Sequence, residues 1–151
     1  MITITVDDRH ILAVLADLRG RMEDMTPAFD AIGMELEARI SRRFEDTVDP
    51  NGKLWLPHPT RGYPWEYDRH YPPDGNRRLL DRKGDLLDSL NYQADRDGVT
   101  VGFGVPYAAY HEWGTKHMQR RGFLFSDPDA HTLGDDDRES ILAVLAGYLS
   151  P

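Results

Sequence analysis

His111-Glu112 opens the pattern of a zinc-protease helix, in which a second histidine four residues after the first completes a metal-binding face. Position 115 is Thr115, so that two-histidine face does not exist. His117 lies six residues from His111, nearly opposite on a helix, with Gly114 between them. A small metal-assisted hydrolase using His111, Glu112 and His117 is therefore an alternative reading that needs a loop to bring the histidines together. The competing reading makes His111 a buried or interface histidine bonded to backbone. Gly102-Phe103-Gly104 begins a dinucleotide loop, but the third glycine would fall at Tyr107 and no long helix follows. Gly114-Thr115-Lys116 lacks the upstream glycine of a phosphate loop. None of Ser41, Ser89, Ser126, Ser140 or Ser150 sits in a G-x-S-x-G elbow. No catalytic residue, cofactor-binding residue or metal ligand is assigned, no cofactor is implied, and no enzymatic activity is expected.

Two basic clusters remain, Arg77, Arg78, Arg82 and Lys83 in one, and Lys116, Arg120 and Arg121 in the other. Such groups can meet phosphates or an acidic protein, although most clusters of this size are solvated faces. A DNA-contacting adaptor is thus a further alternative. The chain as a whole is acidic, 151 residues with a formal net charge of −8, so direct nucleic-acid binding is not expected. It has no cysteine, which excludes disulfide scaffolds, thiolate zinc sites, iron–sulfur clusters and thiol catalysis. No apolar run approaches the ~20 residues of a bilayer span. The first residues lack a positive stretch and meet Asp7 and Asp8, so no signal peptide is expected. One soluble domain over 1–151 is the expectation.

The elements that position these residues follow from periodicity. Ile2, Ile4 and Val6 alternate with threonines as in a short strand. Ile11, Leu15, Leu18 and Met22 then line one helical face. Thr26-Pro27 opens a second amphipathic helix, Thr26 as cap, with Phe29, Ile32, Leu36, Ile40 and Phe44 on its apolar face. A short helix is expected from Asp85. A hairpin follows, turning at Asp97-Gly98 between Leu90-Tyr92-Ala94 and Val99-Val101-Phe103. Tyr107 to Trp113 makes two helical turns stopped by Gly114, Phe123 to Phe125 reads as a short strand, and a last helix runs from Asp135 to Leu149. The expected class is α+β: a small antiparallel sheet packed by two long amphipathic helices and a C-terminal helix.

Between about residues 48 and 78 no period persists. This stretch holds six of the ten prolines, with Trp55, Tyr63, Trp65, Tyr67 and Tyr71. Proline disfavours helix and central strand, and a loop this long in a small domain is generally functional or mobile. It reads as an extended arm that orders against its own domain or against a partner, and Trp55, Tyr63, Trp65, Tyr67, Tyr71, Arg77 and Arg78 are its candidate interface residues.

Taken in order, the landmarks have a family likeness. A helix ends in Arg43-Phe44 and is followed by Pro50-Asn51-Gly52-Lys53-Leu54-Trp55. Leu80-Asp81 and Gly84-Asp85-Leu86-Leu87-Asp88-Ser89 come next, then Val99-Thr100-Val101-Gly102. Tyr107-Ala108-Ala109-Tyr110-His111-Glu112-Trp113-Gly114 and Arg121-Gly122-Phe123-Leu124 precede the closing helix. This order resembles the phage virion morphogenesis family, the tail-completion proteins of Mu-type and related tailed phages and prophages. Asn51 and Glu112 depart from the Asp and Gln common there. The resemblance implies a non-enzymatic part in tail completion or head–tail joining, as a ring-forming homo-oligomer in contact with tail or connector proteins. It also implies action in the host bacterial cytoplasm during assembly, or within the virion, and not at a membrane. Gly84, Gly102, Tyr107, His111, Gly114, Arg121 and Phe123 are then candidate structural motif residues, Gly102 and Gly114 allowing tight or left-handed backbone.

Overall fold

The structure is a computed structural model that describes residues 9–55, 80 and 84–150. The expected strand at Ile2–Val6, the arm residues Tyr63, Trp65, Tyr67 and Tyr71, and the basic cluster Arg77, Arg78, Arg82 and Lys83 lie outside the described residues.

Two helices come first, α1 (Arg9–Glu23) and α2 (Thr26–Asp46). Helix α2 buries Ile32, Leu36, Ile40 and Phe44 at the spacing of one helical face, while Phe29 is half-buried. Each such side chain contributes about 1.5–3 kcal/mol by leaving water. The start of α2 differs from expectation. Thr26 is already helical and makes no side-chain cap; instead its amide donates to Asp24 Oδ1 at 3.0 Å. That hydrogen-bonding pair, the Thr26 side chain first and its amide second, holds the Asp24 carboxyl below its ordinary value of 3.8.

Helix α1 buries none of its residues, and Ile11, Leu15 and Met22 stand exposed. Its expected apolar face is therefore not a core face among the described residues. Its far end is tied to the last helix, α5 (Asp135–Leu149). Arg21 Nη1 donates to the carbonyls of Tyr148 and Ser150, and the Tyr148 hydroxyl donates to the Asp24 carbonyl at 2.8 Å.

Helix α3 (Asp85–Asp88) follows Gly84, whose φ of 89° is left-handed. Strands β1 (Leu90–Ala94) and β2 (Val99–Phe103) pair antiparallel with Leu90 opposite Phe103 and Ala94 opposite Val99. The hairpin is as expected, but its turn is the four residues 95–98, not a two-residue Asp97-Gly98 loop. Asp95 organises it: Oδ1 accepts from the amides of Asp97 and Gly98. Gly102 pairs with Asn91 inside β2 and keeps a negative φ, so the sheet does not use its conformational freedom. The hairpin packs on α2, where the Tyr92 ring lies against Gly33 so closely that any Cβ at 33 meets it.

The core gathers Ile40, Phe44, Trp55, Leu80, Leu86, Leu90, Ala108 and Phe123. Phe44 is its centre, 5.5 Å from Trp55 edge-on and 5.5 Å from Phe123. The fold is α+β, as the periodicity indicates, and no helix among the described residues is long and apolar enough to cross a membrane.

Candidate functional site

Helix α4 (Ala108–Trp113) is short, and its two sides differ in character. Ala108 and Glu112, one turn apart, face inward and are buried; Tyr110 and Trp113 face solvent. Gly114 ends the helix with φ 73° and ψ 173°, a conformation that side chains disfavour. The turn beyond is tight: a Cβ there would lie 3.0 Å from the Arg120 amide nitrogen.

Glu112 is completely buried. Its Oε2 accepts from the amides of Phe123 and Leu124 at 2.8 and 3.1 Å, and Oε1 accepts from the Phe125 amide at 2.9 Å. Arg120 supplies the counter-charge through Nη2 at 3.3 Å. The same guanidinium donates from Nε to the Glu112 carbonyl and from Nη2 to the Phe125 carbonyl. A buried carboxylate is tolerable only when paired and hydrogen-bonded, and this one is both.

This overturns the short strand expected at Phe123–Phe125. The amides a strand would offer to a neighbour are taken by one side chain. It also assigns the basic residues 120 and 121 differently from a solvated patch. Arg120 is half-buried on Glu112, and Arg121 is buried, its amide donating to the His111 carbonyl at 2.8 Å. Lys116 alone of that cluster is exposed.

A second brace lies across the core. Arg43 donates from Nη1 to the Phe123 carbonyl at 2.7 Å and from Nη2 to Asp137 Oδ1, which also accepts from Arg39 Nε at 2.7 Å. Asp137 is buried in the first turn of α5, where negative charge complements the helix dipole. Gly134, just before α5, lies against the Pro50 carbonyl, 2.8 Å from where its Cβ would be.

Trp55, expected at an interface, is a core residue only 7% exposed, and its indole N–H donates to the Gly122 carbonyl at 2.9 Å. Of the motif residues, Arg121 and Phe123 are buried, His111 is half-buried with its ring edge-on to Tyr107, and Tyr107 is exposed. The structure thus collects Gly114, Arg121 and Phe123 around Glu112, while Gly84 and Gly102 serve α3 and the hairpin.

Chemically the Glu112 carboxylate is committed to three amides and a guanidinium, which leaves it no free role as a general base. His117 stands exposed in the turn closed by Thr115, whose Oγ1 accepts from the His117 and Met118 amides. Among the described residues, no group of three or more His, Asp or Glu is placed to hold a metal ion. Sequence reasoning missed the part played by Glu112. The available signal was its position four residues after Ala108, on the inner side of the helix, with two arginines eight and nine residues on.

Beside these polar residues, α4 also turns aromatic side chains, Tyr110 and Trp113, to solvent. A shallow groove of about 300 Å³ runs between α4 and the 123–124 segment, lined by Phe103, Val105, Ala109, Trp113, Phe123 and Leu124 among others. Beyond Trp113, the rings of Phe125 and His131 stand edge-on to its indole, with centroids 6.0 and 6.2 Å away.

The family model described as the phage virion morphogenesis family matches residues 6–150. No curated protein and no solved structure matches the chain.

Proposed function

We propose, from the premise that this chain belongs to the phage virion morphogenesis family, that it is a non-enzymatic part of the tail-assembly machinery. Membership supports a structural or assembly role in phage particles, in contact with other virion proteins. The finer reading is tail completion or head–tail joining by a ring of identical copies, each one domain over 1–151. Assembly would take place in the host cytoplasm, and the protein would either leave or stay in the virion. The observation that carries this reading is the match over nearly the whole chain, which includes both braces and the aromatic surface of α4. The chemistry is compatible. Buried Glu112 and Arg43 fix backbone, buried Asp137 pairs with two arginines, and aromatic side chains on α4 are left exposed for contact. The arm residues Tyr63, Trp65, Tyr67, Tyr71, Arg77 and Arg78 belong to the proposed interface; Trp55 does not, because it is spent on the core.

Electron microscopy of particles made with and without the gene tests this. The expected result is heads and tails that accumulate separately, or tails of abnormal length. Normal head-attached tails in its absence would sink the proposal.

A further inference from the structure

We infer that the groove beside α4 is a receptor for the proline- and aromatic-rich segment 56–79 of a second copy of this chain. The inference rests on the assembly reading above and names the contact that would join neighbours.

The receptor side is on the page. Of the lining residues Trp113 is 44% exposed, while Tyr110, 57% exposed, and Tyr107 stand outside the lining near the same short element. Trp113, Phe103 and Leu124 line the groove. Grooves walled by aromatic rings suit extended proline-containing peptides, because the rings stack on pyrrolidine faces and the ligand loses little chain entropy. Segment 56–79 contains Pro57, Pro59, Pro64, Pro72 and Pro73 interleaved with Tyr63, Trp65, Tyr67 and Tyr71. No other stretch of the chain has this composition.

Length and attachment argue for a neighbour's groove. The segment leaves the core at Trp55 and re-enters it at Leu80, and both residues share a cluster with Phe123 of the groove wall. Its 24 residues, 56–79, span ~75 Å at the rise of an extended chain and so reach ~35 Å out and back. A body of this size has a radius of gyration of about 14 Å. A strap meant only for the groove beside its own anchors needs far less chain.

Two measurements test this. A labelled peptide of residues 56–79 is titrated by anisotropy into the full chain whose own segment is replaced by Gly/Ser of equal length. Saturable binding is expected, weakened about tenfold or more by Trp113→Ala. The Trp113 side chain is exposed, and circular dichroism checks the fold. Light scattering then follows an equimolar mixture of the Gly/Ser variant with the Trp113→Ala variant. A mixed species absent from either alone is expected. Peptide that does not bind, or binds the Trp113→Ala variant equally well, overturns the inference. So does peptide binding without any mixed species, which assigns the groove to the chain's own segment. These outcomes are separable from the particle experiment. Defective particles with no peptide binding discard the groove and keep the assembly role, and normal particles discard the role itself.

Discussion

Arg43 and Asp137, 94 residues apart in the chain, form a buried ion pair that fastens the end of α2 to the start of α5. The Asp137 Oδ1 atom serves two arginines, while Oδ2 is buried without a hydrogen-bond partner. The hydrogen bonds to that carboxylate therefore all come through one oxygen.

Removing the acid strands the Arg43 charge in the core. Asp137→Ala is expected to cost about 3–5 kcal/mol, as one-sided breakage of buried pairs does. Urea unfolding of the variant checks this, and a loss under 1 kcal/mol would show that the pair is not a brace. The double change Asp137→Leu with Arg43→Met should recover part of the loss.

Glu112→Gln is expected to destabilise by about 2–4 kcal/mol, even though the two side chains have the same shape. An amide group can present only one acceptor to three backbone N–H donors, and its own N–H2 faces donors. Arg120 also loses its counter-charge. Hydrogen exchange at the Phe123, Leu124 and Phe125 amides should accelerate together; unchanged protection refutes the assignment.

Two glycines should respond in opposite directions. Gly114→Ala meets both a left-handed φ and backbone atoms about 3 Å away, and is expected to cost about 1–3 kcal/mol. Gly147 lies inside α5 with nothing within 4 Å of its missing Cβ. Gly147→Ala is expected to stabilise by about 0.5–1 kcal/mol. Thermal melts of the two variants settle both signs.

The Asp24 carboxyl is depressed in the folded protein by its bonds to Thr26, so it binds its proton more readily when unfolded. Its contribution is complete above the ordinary value of 3.8 and is lost as pH falls through the lower folded value. Asp24→Asn should therefore lessen stability at neutral pH and flatten the acid limb of the pH–stability curve. An acid limb identical to that of the parent chain contradicts the capping role.

Much of the fold is legible in local pattern. The face Ile32-Leu36-Ile40-Phe44, the alternation Leu90-Tyr92-Ala94 and the stop at Gly114 each express a period or a conformational need of one residue type. The site was not legible to the same degree, because it is built from long-range side-chain to backbone bonds. Nothing local to Phe123-Leu124-Phe125 reveals that a carboxylate eleven to thirteen residues earlier claims its amides. The helix cap moved from Thr26 to Asp24, and the turn organiser from Gly98 to Asp95, for a related reason: several short polar side chains can serve the same donors, and geometry chooses among them. Helix α1 shows the limit of periodicity itself. It predicts a stripe of apolar residues correctly and says nothing about whether the chain covers that stripe.

The grip of Glu112 also gives the exposed indole of Trp113 a rigid mounting. Any sideways load on that ring passes through one peptide bond to a side chain held at four points, and from there through Phe123 into Phe44 at the centre. Flexing at the surface is thereby resisted by the whole interior. Strain from a contact at that ring is shared across the body instead of being absorbed by a yielding loop.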